Sequence, residues 1–151
     1  MGCTWLVSPA RWAGLIMVVV ITEAPSGSFT VGSHAAVCDS ISGDPVLYDP
    51  GGSYQAGARG SGDAFSGAEA DLRAFLRFER KDRDIVRRFK FRTTPAQEAQ
   101  IAERISQVGG KQGGFCAVGV SQVLDGTGPF SQLGSPFYFP SSLGDALGGL
   151  E

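Results

Sequence analysis

Residues 33–49 read Ser-His-Ala-Ala-Val-Cys-Asp-Ser-Ile-Ser-Gly-Asp-Pro-Val-Leu-Tyr-Asp. Two short apolar runs, 33–38 and 46–49, flank a string of turn formers, Ser40-Ile41-Ser42-Gly43-Asp44-Pro45. That pattern predicts a β-hairpin. Centred between Ile41 and Ser42, the hairpin sets residues whose numbers sum to 83 opposite each other, so His34 faces Asp49. Directly opposed residues have Cβ atoms about 4.5–5.5 Å apart, within reach of a carboxylate accepting the imidazole N–H.

Outward from the hairpin, Met17-Val18-Val19-Val20-Ile21-Thr22 is β-branched and bounded by Pro25-Ser26-Gly27, which reads as a buried strand. Asp49-Pro50-Gly51-Gly52 is a tight turn, and 51–67 is a long glycine- and serine-rich loop of the kind that often lines a site. Ser66-Gly67-Ala68-Glu69 matches a capping box, opening a helix with an apolar face of Leu72, Phe75 and Leu76 that runs out near Lys81. Residues 85–92 alternate: Phe89 and Phe91 share one face of a strand, Arg88, Lys90 and Arg92 the other, and Arg87 breaks the pattern. Thr94-Pro95-Ala96-Gln97 opens a second helix that carries Ile101, Ile105 and Val108 to the stop at Gly109-Gly110. A third helix begins at about Cys116 and ends at Asp125-Gly126, and a short one spans 142–147. The sum is an α+β fold, a small antiparallel sheet packed with about three helices.

Composition bounds the rest. With 151 residues the chain fits one domain, read as 17–151, behind a ragged segment 1–16 that resembles a processing edge or the cut edge of a larger polypeptide. Hydrophobic residues at 42% and charged residues at 19% exclude a disordered chain, and 22 glycines without a fixed period exclude collagen and solenoids. The apolar run 12–21 is ten residues long, about half of a membrane-spanning helix. Three cysteines without paired spacing and a single histidine argue against a structural zinc site and a disulfide framework. No metal or other cofactor is expected.

Cys116 follows Gly113-Gly114-Phe115 and starts an apolar-periodic helix. In the first turn of a helix, unpaired N–H groups and the helix dipole favour a thiolate. Glycines just before it let a substrate backbone approach, and the Cys116 amide faces a developing oxyanion. The plain alternative is a small buried hydrophobe. His34, held by Asp49 in one tautomer, supplies the imidazole that a thiol nucleophile requires.

A cysteine that opens a helix, with a histidine starting one strand and a polar partner on the next, resembles the papain-like fold of NlpC/P60 hydrolases. The order His34, Asp49, Cys116 resembles its circularly permuted branch, the YiiX-like and lecithin:retinol acyltransferase-like proteins. Tyr48-Asp49-Pro50-Gly51-Gly52-Ser53-Tyr54 with Arg59-Gly60-Ser61-Gly62-Asp63-Ala64-Phe65 is similar to toxin domains at the ends of Rhs-type polymorphic toxins. The resemblance spans about residues 30–148. It implies a cysteine-dependent peptidase or amidase, with acyl-ester chemistry as a variant. Cys116 would be the nucleophile, His34 the base and Asp49 the orienting group. It also implies a peptide or amide substrate, a cognate immunity protein, and secretion or delivery into a target cell as part of a larger toxin, against a cytoplasmic alternative.

Nine of the 13 basic residues fall between Arg73 and Arg92, against three acids. Such a segment can steer towards phosphates and gives the second reading, a nucleic-acid-binding toxin or nuclease. On a helix and a strand face, however, a charge excess ordinarily means a solvated surface, so nucleic acid is not the expected partner. A non-catalytic binding module with a structural Cys116 is the third reading.

Overall fold

Among the described residues, five strands form one antiparallel sheet: β1 (Ile16–Glu23), β2 (His34–Asp39), β3 (Val46–Tyr48), β4 (Ala64–Ser66) and β5 (Ile85–Arg92), in the order β4-β3-β2-β1-β5. The computed structural model describes residues 16–23, 34–39, 45–54, 63–81 and 85–151, with the backbone alone for 34–39. Four helices among these residues complete the α+β fold: α1 (Leu72–Glu79), α2 (Pro95–Val108), α3 (Cys116–Leu124) and α4 (Pro140–Gly148), together with 3₁₀ turns at Gly67–Glu69 and Gly128–Phe130. The segment before residue 16 lies outside the described residues. Among the described residues no helix is long and apolar enough to cross a membrane.

The unbroken apolar run of β1 follows from its central place, paired with β2 on one side and β5 on the other. Alternate residues serve two cores. Met17, Val19 and Ile21 join Phe89, Phe91 and the buried faces of α2, α3 and α4. Val18 and Val20 join Leu47, Phe65, Tyr54 and the α1 residues Phe75 and Leu76. One side of the sheet therefore carries three helices and the other carries α1. Burial of each large apolar side chain contributes roughly 1.5–3 kcal/mol, which holds both layers.

Several local readings stand as expected. The α2 capping box is formed: Thr94 Oγ1 accepts from the Gln97 N–H at 3.2 Å and Gln97 Oε1 from the Thr94 N–H at 2.9 Å. Strand β5 occupies 85–92, with Phe89 and Phe91 buried and Arg88, Lys90 and Arg92 exposed. Arg87 breaks the alternation for a reason: its guanidinium meets Glu23 at 3.1 Å and Asp145 at 3.3 Å.

Other expectations are corrected. The hairpin forms, but its pairs are Val37–Tyr48, Cys38–Leu47 and Asp39–Val46, numbers that sum to 85. A sum of 83 would set Pro45 opposite Cys38, and proline has no N–H for a ladder. Position 34 thus falls two residues away from Asp49 in register. The capping box at Ser66 is not used: Gly67 has φ +60°, outside the helical region, and no side chain caps that turn. Helix α1 starts later, where the Asp71 carboxylate accepts from the N–H groups of Arg73 and Ala74. The end of the long loop holds the three-residue strand β4, too short to show a period. A fourth helix, α4, is longer than the short one expected.

Candidate active site

Helix α3 starts where the sequence places it. Gly114, at φ +89°, turns the chain, Phe115 occupies the cap position, and its carbonyl accepts the first helical bond from Gly119 at 3.1 Å. Cys116 is the first helical residue and is 4% exposed, packed with the three-helix core. The N-cap residue Phe115 gives this end no side-chain cap, and the first-turn amides of a helix carry donor character near the sulfur. Phe115 beside it is about half exposed.

The turn after β3 packs against the same helix. A Cβ on Gly119, one turn along from Cys116, would lie 2.9 Å from the Tyr48 hydroxyl and 3.1 Å from Pro50. Residues three apart share a helix face, so the turn that carries Asp49 reaches the face on which Cys116 begins α3. Asp49 is fully buried. Its carboxylate folds over Gly52, leaving no room for a side chain there, and its carbonyl accepts the Gly52 N–H at 3.3 Å.

The residue that ties these parts together is Asp63, which the sequence reading passes over as a site residue. Its carboxylate Oδ2 accepts from the Gly51 N–H at 2.8 Å and from the Lys111 N–H at 3.1 Å, and its carbonyl accepts the Asp49 N–H at 3.0 Å. One side chain thus fastens the 49–52 turn to the loop before Cys116. Asp63 does so at φ +62°, a conformation that aspartate tolerates better than most residues. That tolerance, beside Gly60 and Gly62, was the one local signal available. The Tyr48 hydroxyl adds a second tie, donating to the Gly109 carbonyl at 2.7 Å.

His34 is the first residue of β2, and its backbone pairs with Thr22. Its register row includes Thr22, Val20 and Val18. Thr22 donates its hydroxyl to Glu79 on α1 at 2.6 Å, and Val18 and Val20 belong to the α1 core. Cys116 packs with Val19 and Ile21 of the alternate row. The structure thus brings the Asp49 turn to the Cys116 helix, and assigns position 34 to the row on the other side of the sheet. The His34 side chain lies outside the described residues. The register observed does not set position 34 opposite Asp49, as the sequence pattern had predicted.

Burial, and secondarily the Asp63 carboxylate, raises the ionisation of Tyr48 above the usual tyrosine value. A raised folded-state value means that stability is full below about pH 10, where the unfolded side chain titrates, and falls as pH rises further. Urea denaturation across pH 8–11 is expected to show that loss, with a smaller loss in Tyr48→Phe. At neutral pH that variant should cost about 1 kcal/mol for the missing hydrogen bond to Gly109. A Tyr48→Phe protein with the wild-type alkaline profile would show that Tyr48 is not the group responsible.

Comparison of the chain with protein-family models, with curated proteins and with solved structures finds no match.

Proposed function

We propose that this protein is a cysteine-dependent hydrolase acting on a peptide or amide bond, with Cys116 as nucleophile. The single observation that carries the reading is the place of Cys116: first residue of α3, behind the Gly113-Gly114 turn and beside the clamped 49–52 turn. In this reading the thiol proton passes to an imidazole and the sulfur attacks the carbonyl carbon. The oxyanion meets the amide of Cys116, the amine leaves with the proton, and water cleaves the thioester. His34, the chain's single histidine, is the base, and Asp49 orients and stabilises the imidazolium. The resemblance to permuted papain-like domains and Rhs-type toxin ends supports a peptide or amide in a target cell as substrate.

Alkylation by iodoacetamide at pH 7 tests it without a known substrate. One thiol is expected to react at least about tenfold faster than a free cysteine, because a depressed pKa raises the thiolate fraction. That reaction should vanish in Cys116→Ala and persist in Cys38→Ala. In His34→Ala the pH midpoint of alkylation should rise, and in Asp49→Asn it should rise by less. A Cys116 that reacts only after unfolding would make it a core cysteine and overturn the proposal. An unchanged midpoint in His34→Ala would remove His34 as the base.

A further inference from the structure

We infer that the α1 side of the sheet is a binding face for the phosphate backbone of nucleic acid, separate from the Cys116 site. Two elements build it. Arg73 and Arg77 on α1 and Arg80 at its C-cap recur at helical spacing on the exposed face, because Phe75 and Leu76 take the buried one, and Lys81 follows. On β5, Arg88, Lys90 and Arg92 form an exposed row about 6.6 Å apart, because Phe89 and Phe91 turn to the opposite core. The register fixes the side: Arg88 pairs with Val20 and Lys90 with Val18, whose row packs against α1. Seven cations therefore share one side of the molecule.

None of the seven is held by an acid among the described residues. Arg87, in the alternate row, shows the contrast: it is spent on Glu23 and Asp145 and stacks over Phe89 at 5.1 Å. Among the described residues, the acids nearest the face have other partners or lie at its margins. Asp71 caps α1, Glu79 accepts from Thr22, Glu69 lies before α1, and Glu151 accepts the Lys90 N–H at 3.2 Å on the sheet edge. Residues 73–92 carry nine bases and three acids, while the rest of the chain has four bases and twelve acids. That is a net +6 set against −8, so an overall charge of −2 conceals a strongly polar molecule.

Charge complementarity alone suits either a nucleic acid or an acidic protein. The make-up of the face decides between them. Protein interfaces centre on desolvated aromatic or aliphatic anchors and are poor in charge at their core. Here the centre is charge. Phe78, the ring beside it, is half-buried and already carries the Lys81 ammonium at 5.3 Å. Among the described residues, the exposed aromatics Phe115, Tyr138 and Phe139 stand at the starts of α3 and α4, on the other side of the sheet. With no free ring among the described residues of this face to stack a base, contact is to phosphates and independent of sequence.

The test is fluorescence anisotropy of the full chain with a labelled duplex DNA of arbitrary sequence, over about 50–200 mM salt. Binding is expected at the low end and should weaken about 10³-fold across the range, with a log–log slope of about −4 to −6. The triple variants Arg73/Arg77/Arg80→Ala and Arg88/Lys90/Arg92→Ala should each flatten the slope by about 2–3. Both should leave the circular dichroism spectrum and the alkylation rate of Cys116 unchanged, which separates this face from the thiol site. No binding at low salt would overturn the inference, as would a slope that only one triple alters. Competition by poly-glutamate as strong as that by unlabelled duplex, at equal charge, would reassign the face to an acidic protein and overturn it equally.

Discussion

Gly51→Ala is expected to lower stability by about 3 kcal/mol, on the order of 10 °C in Tm for a chain of this length. Two independent costs add. Gly51 sits at φ +66°, where any residue with a Cβ loses about 1–2 kcal/mol. The new Cβ would also lie 2.6 Å from the Gln112 carbonyl oxygen, a backbone atom. Crowding of that kind costs about 1–3 kcal/mol, more when the neighbours cannot give way. Here they are held, because the N–H groups of Gly51 and Lys111 share one carboxylate oxygen of Asp63. Gly67→Ala is the control: its φ is +60°, and nothing lies within 4 Å of the added Cβ. It should lose only the conformational part. Urea denaturation of both measures the difference, and equal losses would mean that the 49–52 turn is not clamped against the loop before Cys116. The same clamp makes Gly51→Ala slow the alkylation of Cys116 in a way that Gly67→Ala does not.

Thr93→Val is expected to cost about 2–4 kcal/mol, because it strands a buried carboxyl group. Glu98 is fully buried near the start of α2. One of its oxygens accepts the Thr93 hydroxyl at 2.6 Å, and the other, Oε2, has no hydrogen-bond partner among the described residues. Removing the hydroxyl leaves neither oxygen bonded. Replacing both residues removes the problem, since apolar groups of similar shape need no partner and methionine is a good helix former. The double variant Thr93→Val/Glu98→Met should therefore be at least as stable as the wild type and clearly more stable than Thr93→Val. Denaturant midpoints of the wild type, both single variants and the double variant complete the cycle. A Thr93→Val loss below about 0.5 kcal/mol would show that the hydroxyl does not support Glu98.

Each part of the site was legible in proportion to how local its causes are. Cys116 as the first residue of α3 follows from the glycines just before it and the apolar period just after it, all within one helix. Asp49 in a tight turn follows from Pro50, Gly51 and Gly52. The partnership of His34 with Asp49 required a register, and the register hinged on Pro45, which cannot enter the ladder. Asp63 could not be assigned from its neighbours, because its partners lie 12 and 48 residues away in the chain.

By itself the sequence determined the elements whose stabilising contacts lie within about four residues: the Thr94–Gln97 cap and α2, the alternation of β5, and the start of α3. Caps and periodicity act over such spans whatever the rest of the chain does. The tertiary structure alone decided that β1 lies centrally and is buried on both sides, that position 34 belongs to the Thr22 row, and that Tyr48 and Pro50 meet α3 at Gly119. It also gathered the cations of α1 and β5 on one side of the sheet. These outcomes rest on contacts between distant segments, formed only when both cores close together, and no local pattern encodes which partner each segment finds.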